Sequence, residues 1–256
     1  AEVTAIHMFA FAASPLQKIT IEDGSLLTNI GNRAFGSCLF LSEISIPEAA
    51  YVAPDAFRGC SLLMKIDMTD EQINNIAKEL HEAYIGPADG FTVSIIRGAQ
   101  YGGMNFEGEY AANTEAIDLR FEHFSIFVLD ALVHEFFHHY QYVITHGVGP
   151  EDFNSVPRYV SKYSRYSVIF ENPYIIVANK TVLYDESDPS KGYYYESIVR
   201  SCDSSGRAYI LIDENMLDRW RQPYIPPEVD WDLYWNQPWE ADARGFASWF
   251  SGVFWS

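Results

Sequence analysis

The sequence predicts an α+β protein with a short repeat solenoid over residues 1–68 and a mixed helix-and-strand domain over 69–256. Three observations predict it. The first 68 residues repeat themselves. Residues 124–145 read as one long helix that is apolar almost all round. Short alternating segments of strand length lie between these two features and beyond them.

The repeat is visible in two elements. Leu16-Gln-Lys-Ile-Thr-Ile21 recurs as Leu41-Ser-Glu-Ile-Ser-Ile46 and as Leu63-Met-Lys-Ile-Asp-Met68, at steps of 25 and 22 residues. Ala34-Phe35-Gly36-Ser37-Cys38 recurs as Ala56-Phe57-Arg58-Gly59-Cys60 after 22. Periods of this length mean stacked coils, and Leu-x-x-Ile-x-Ile suits a short strand with its apolar side inward. Residues 5–13 have the apolarity of a signal-peptide core. They read better as part of an earlier coil, because Val3-Thr-Ala-Ile6 with Ala10-Phe11 parallels Leu27-Thr-Asn-Ile30 with Ala34-Phe35. A chain starting at Ala1 inside a repeat is expected to continue upstream. Cys38 and Cys60 fall in equivalent columns, with Ser14 in the same place one coil earlier.

Thr69 or Asp70 can cap a helix running to about Tyr84. Ile73, Ile76, Ala77, Leu80 and Tyr84 form its stripe, and Gly86-Pro87 ends it. Phe91–Ile96, Phe106–Tyr110 and Ala116–Leu119 read as strands. Residues 147–235 are rich in Tyr, Pro, Asp and Ser. They hold strand-like pieces at 174–178 and 208–212 and a short helix at 214–221, within an irregular connection that shapes a cleft or covers the core. Pro238 opens a last helix through Phe250.

Composition excludes some functions. A formal charge of −18 argues against nucleic acid and anionic membranes, and favours basic partners. No apolar run is long enough to span a bilayer, so membrane insertion is not expected. Three cysteines without C-x-x-C spacing make neither a disulfide framework nor a thiolate metal site.

The chemistry sits in the long helix. Its apolar residues, among them Ile126, Val128, Leu129, Leu132, Val133, Phe136, Phe137 and Tyr140, mark it as buried. Its middle nevertheless reads His134-Glu135-Phe136-Phe137-His138. Burying those polar groups is costly unless something satisfies them. Residues four apart share a face, so His134 and His138 can offer ring nitrogens to one Zn²⁺. Glu135 lies one step round, placed to act as general base on a metal-activated water. A third ligand is needed. Position 144 is Ile, His139 faces elsewhere, and His146 is a loop position. Glu240, on the last helix, is the best candidate. Asp242 or Asp130 either orients a ligand histidine or is simply solvated. Tyr193, Tyr194, Tyr195, Tyr234 and Arg244 are candidates to steady an oxyanion. The strand at 116–119 is a candidate to hold an extended peptide by main-chain pairing.

Two resemblances add to this. The Ile-x-x-x-Ala-Phe-x-x-Cys and Leu-x-x-Ile-x-Ile-Pro pattern over residues 1–68 resembles BspA-like leucine-rich repeats. Ile46-Pro47 fits it, while Ile21-Glu22 lacks the proline. His134-Glu-Phe-Phe-His-His-Tyr-Gln141, followed by Gln237-Pro-Trp-Glu-Ala-Asp-Ala243, resembles small gluzincin-type metallopeptidase domains, whose signature is His-Glu-x-x-His with a later Glu-x-[Asp/Glu]-Ala. Gly108-Glu-Tyr and Asn113-x-x-Ala-Ile-Asp-Leu119 are similar to the edge strand those domains place before the active helix. The resemblances imply a zincin-like domain with an N-terminal repeat fragment. They imply His134, His138 and Glu240 as zinc ligands and Glu135 as general base, acting on a peptide or protein substrate. They imply a bacterial, secreted or cell-surface protein whose repeats adhere to a host or surface protein or target the substrate. The alternative is a surface-binding protein whose zinc domain is structural or inactive.

Overall fold

The computed structural model describes residues 3–22, 24–85, 88, 91–98, 106–111, 116–143, 145, 167–170, 199–202, 208–211, 219–220 and 222–253. The chain is a mixed α/β protein with a repeat region at its N-terminus. It divides into two compact units: residues 1–80, 88–136 and 247–256 in the first, and 81–87 and 137–246 in the second.

The repeats of the first unit stack as two parallel ladders. One is β1 (Ala5–Ile6), β3 (Asn29–Ile30) and β5 (Tyr51–Val52). The other is β2 (Lys18–Ile19), β4 (Glu43–Ser45) and β6 (Lys65–Asp67). Register follows the sequence repeat, with Ile19 opposite Ile44 and Ile44 opposite Ile66. The coil expected at 1–15 is part of the stack over its described residues, 3–15, since Ile6 pairs with Ile30. Phe11, Phe35 and Phe57 lie ring on ring at 5.5 and 5.7 Å, nearly parallel, with Phe35 and Phe57 buried and Phe11 exposed at the end of the column. The cysteine column also forms. Cys38 Sγ donates to the Phe11 carbonyl (3.1 Å) and Cys60 Sγ to the Phe35 carbonyl (3.0 Å). Burial pushes the Cys60 thiol up to about 12, so it is a packed, un-ionised group.

Later chain completes the last coil on both sides. The Ile66 N–H donates to the Phe124 carbonyl (2.7 Å), and the Ile126 N–H donates to the Leu63 carbonyl (3.0 Å). At the turn, the Gly59 N–H donates to the Ser251 carbonyl (2.7 Å). Gly252 makes that approach possible. Its φ is +72°, and a Cβ there would stand 2.7 Å from the Gly59 nitrogen. A solenoid end exposes unpaired backbone unless it is capped, and these three bonds cap this one.

Helix α1 (Asp70–Tyr84) begins in a capping box. Thr69 Oγ1 accepts the Gln72 N–H (3.2 Å), and Gln72 Oε1 accepts the Thr69 N–H (2.9 Å). The Gln72 amide also donates to the carbonyls of Pro47 and Ala50, which fastens α1 to the repeats. The stripe Ile73, Ile76, Ala77 and Leu80 is buried as its spacing predicts. The predicted stop at Gly86-Pro87 lies outside the described residues.

Strands β7 (Val93–Arg97), β8 (Phe106–Ala111) and β9 (Ala116–Phe121) form a sheet in the order β7-β9-β8. Here one expectation is corrected. The strand at 116–119 does not offer a peptide-binding edge: β9 is central, parallel to β7 on one side and antiparallel to β8 on the other. Its main-chain groups are already used by those partners. Ile117, Leu119 and Phe121 point inward with the period of two.

Helix α2 (Ile126–Tyr142) follows, its first turn capped by Ser125 Oγ accepting the Val128 N–H. In the first unit, Ile126, Val128, Leu129, Leu132, Val133 and Phe136 are buried. Each contributes roughly 1.5–3 kcal/mol by leaving water. In the second unit, Phe137 packs on Phe246 (4.8 Å) and on Trp220 (5.8 Å), and Tyr84 meets Phe246 edge-on. That unit also holds an antiparallel sheet of β10 (Ser167–Phe170), β11 (Val199–Cys202) and β12 (Ala208–Leu211), in the order β10-β12-β11. The strand expected at 208–212 is β12. The one expected at 174–178 lies outside the described residues, as does most of the helix expected at 214–221.

Two helices end the chain's described part. Short α3 (Trp231–Asn236) is capped by Asp230, whose Oδ1 accepts the Leu233 N–H (2.9 Å). Helix α4 (Pro238–Ser251) starts with proline at its first position. Between them, the Gln237 side chain grips Ile225 twice, accepting its N–H and donating to its carbonyl at 3.0 Å each.

Candidate metal centre

His134 and His138 lie one turn apart on α2. Glu240 stands in the first turn of α4. One ligand atom from each of the three lies within 4.8 Å of the others. His138 and Glu240 are both buried, and His138 Nε2 faces Glu240 Oε2 at 3.4 Å. Among the described residues no fourth His, Cys, Asp or Glu joins the group. His146 lies outside them.

The surroundings of His138 decide which nitrogen it can offer. Its Nδ1 lies 2.9 Å from Gln141 Oε1. The Gln141 amide nitrogen donates in turn to the Trp239 carbonyl (3.1 Å). The amide is thereby oriented with its oxygen towards the ring, an arrangement in which Nδ1 can donate and Nε2 can offer a lone pair. A metal-binding histidine is typically held in this way. The Trp239 indole stacks on the same imidazole, with centroids 5.6 Å apart and planes 7° from parallel. Gln141 was not singled out from the sequence. Its signal was the one that revealed the histidines: a fully buried polar side chain in an apolar helix, three residues from His138 and so on its face.

Glu135 is 9 % exposed and lies under β8. A Cβ built on Gly108 would stand 2.9 Å from Glu135 Cγ and 3.3 Å from Oε1. Only a residue without a side chain lets the strand pass so close. The strand lying against the candidate base is therefore β8, which stands at the sheet's edge among the described residues.

Other predicted site residues take different places. Asp242 is neither solvated nor seen orienting a histidine. It is buried and accepts the Trp220 indole N–H at 2.7 Å, with Arg219 Nη2 3.7 Å away. Burial pushes its carboxyl up to about 6, against the lowering effect of Arg219 and Trp220. Asp130 Oδ1 accepts the Ser251 hydroxyl at 2.6 Å and so ties α2 to the end of α4. His139 stacks on His81 (5.3 Å), away from the cluster. Burial, and then His81, hold it down to about 4. Arg244 lies over the Trp235 ring (3.7 Å) and donates to the Trp235 carbonyl. Tyr234 sits in an aromatic group with Trp231 and Tyr224. Tyr193, Tyr194 and Tyr195 lie outside the described residues.

The donor set suits zinc: two imidazoles and a carboxylate, the nitrogen and oxygen ligands that the ion takes in three-ligand catalytic sites. The N-terminal architecture has a known counterpart. The family model of the BspA type leucine rich repeat region matches residues 1–83 in six copies. Residues 1–83 are BspA-type leucine-rich repeats. The match extends into α1, and repeats of this type are typical of bacterial surface proteins. No curated protein and no solved structure matches the chain. No helix among the described residues is long and apolar enough to cross a membrane.

Proposed function

We propose that the chain is a zinc-dependent peptidase whose leucine-rich repeats bind a protein or surface partner and bring the catalytic domain to its substrate. The observation that carries the reading is the convergence of His134, His138 and Glu240 beside a buried glutamate. In this reading the three residues hold the ion in a zincin-like domain. When bound, zinc supplies a Lewis acid that polarises a carbonyl and activates water. Gln141 fixes the His138 ring so that Nε2 faces the site. Glu135 takes a proton from the attacking water on its carboxylate and delivers it to the departing amine. Gly108 allows that carboxylate its place under β8. The repeats support a secreted or cell-surface setting.

The test combines metal analysis with one variant. Purified chain should hold about one zinc per molecule and hydrolyse an unstructured protein such as casein. Glu135→Gln should keep the metal and lose about 10²–10⁴-fold in rate, the usual contribution of a general base. A metal-free chain, or unchanged hydrolysis in the variant, refutes the peptidase reading.

The second reading is a surface-binding protein whose metal domain is structural or inactive. The match of a known family to the repeat region supports its binding role, which the first reading shares. A chain that binds zinc, hydrolyses nothing and loses partner binding when the repeats are altered would be that protein.

A further inference from the structure

The segment from Gln222 to Pro238 carries an exposed aromatic surface that the proposed hydrolysis does not use. Trp231 is 58 % exposed, Tyr224 53 % and Trp235 40 %. The rings form one group. Trp231 stacks on Trp235 at 5.8 Å with planes 24° apart, and lies against Tyr234 at 5.3 Å; Tyr224 meets Tyr234 edge-on at 6.2 Å. Large aromatic groups left in water mark interaction surfaces, where Trp and Tyr are the usual anchors.

Charge identifies the partner. Glu228, Asp230 and Asp232 are exposed among these rings, and no Lys, Arg or His occurs between 222 and 238. The three carboxylates outnumber Arg244, whose guanidinium is already held by Trp235, so the surface disfavours phosphate and anionic lipid headgroups. A neutral apolar partner would bury the three carboxylates without compensation. A cation on an aromatic face, with carboxylates around it, satisfies both features. The same group of rings already shows the interaction, with the Arg244 guanidinium 3.7 Å above the Trp235 ring.

We infer that Tyr224 and the outer face of α3 form a docking site for a polypeptide segment bearing lysine or arginine side chains. Asp232 and Glu228 supply the counter-charge, and Trp231 supplies the ring on which the cation rests. The inference does not rest on the hydrolytic reading, and its test is independent of turnover.

The test uses the full chain carrying Glu135→Gln, titrated by calorimetry with a short lysine–glycine peptide and with the same peptide acetylated on every Nε. Saturable binding of the first and loss of binding for the second are expected. Trp231→Ala should weaken binding about tenfold, the size of one cation–π contact with partial desolvation. Asp232→Asn should weaken it several-fold, and high salt should do the same to the parent. Both substitutions are at exposed positions, and circular dichroism confirms that the variants are folded. No binding of the lysine peptide, equal binding of the acetylated one, or full affinity in both variants overturns the inference.

Discussion

Replacing Gln141 with leucine tests the candidate centre without touching a ligand. Leucine fills similar space but cannot hold the His138 ring. The substitution removes a 2.9 Å hydrogen bond from a buried site, with Gln141 fully buried and His138 at 5 % exposure. Such a bond is worth about 0.5–1.5 kcal/mol in net terms. Without it the imidazole can rotate, and the tautomer with its proton on Nε2 competes with the binding one. Loss of an orienting partner of this kind weakens metal binding about 10–100-fold, so the zinc dissociation constant should rise by that factor. Gln141→Glu is the control. A carboxylate still accepts from Nδ1 but no longer donates to the Trp239 carbonyl, 3.1 Å away in the parent. Its zinc affinity should stay within a few-fold of the parent, while both variants lose stability at the Trp239 carbonyl, the leucine variant by about 1–3 kcal/mol and the glutamate variant by more, because its charge is fully buried against that carbonyl. Competition against a chromophoric chelator near neutral pH measures the affinities, and urea unfolding of the metal-free chains measures the rest. Equal affinities for the leucine variant and the parent, or a glutamate variant as weak as the leucine one, would refute the reasoning.

Three further outcomes are expected. Gly108→Ala puts a Cβ 2.9 Å from Glu135 Cγ, and displacement of the proposed base by a few tenths of an ångström or more should cost about 10–100-fold in the kcat of the proposed hydrolysis; unchanged kcat at full zinc content would show that the strand does not position Glu135. Phe35→Ala empties the middle of the aromatic column, where the ring is 1 % exposed, and should destabilise the chain by about 3–5 kcal/mol in urea melts. Burial holds the Cys60 thiol at about 12 in the folded chain, against an ordinary 9.0. Its folded pKa is raised, so the stability held by the neutral thiol is complete below the ordinary value and is lost as pH rises towards the folded one. Cys60→Ala should therefore show a shallower fall in Tm than the parent across that window, and site-resolved alkylation at about pH 8, just below the usual thiol pKa, should label Cys60 only in denaturant.

Features set by local chemistry were legible in the sequence. The capping residues of α1, the proline that opens α4 and the apolar circumference of α2 all act within a few residues of where they stand, and each element lies where those signals put it. The repeats were legible because each coil carries the same inward residues as the last. Features set by distant partners were not. An edge strand and a central strand buried on one face show the same alternation, so Ala116–Phe121 did not reveal that it is paired on both sides. Gln141 depends on Trp239, 98 positions away, and Asp242 on Trp220, 22 away. Helix α3 buries none of its six residues, so it left no apolar stripe to find. The three proposed ligands stand out in the sequence because two of them share a helix face and the third sits among apolar anchors on another helix.

The bonds that finish the last coil have a mechanical consequence. Phe124 and Ile126 are hydrogen-bonded to Ile66 and Leu63, and they lead straight into the first turn of α2. Tension applied to the repeats reaches that turn through those two backbone bonds. His134 lies about two turns further along the same rod. A chain anchored by its repeats thus feeds any pull directly into the helix that carries the candidate ligands, and its stiffness under load would govern how well they stay aligned.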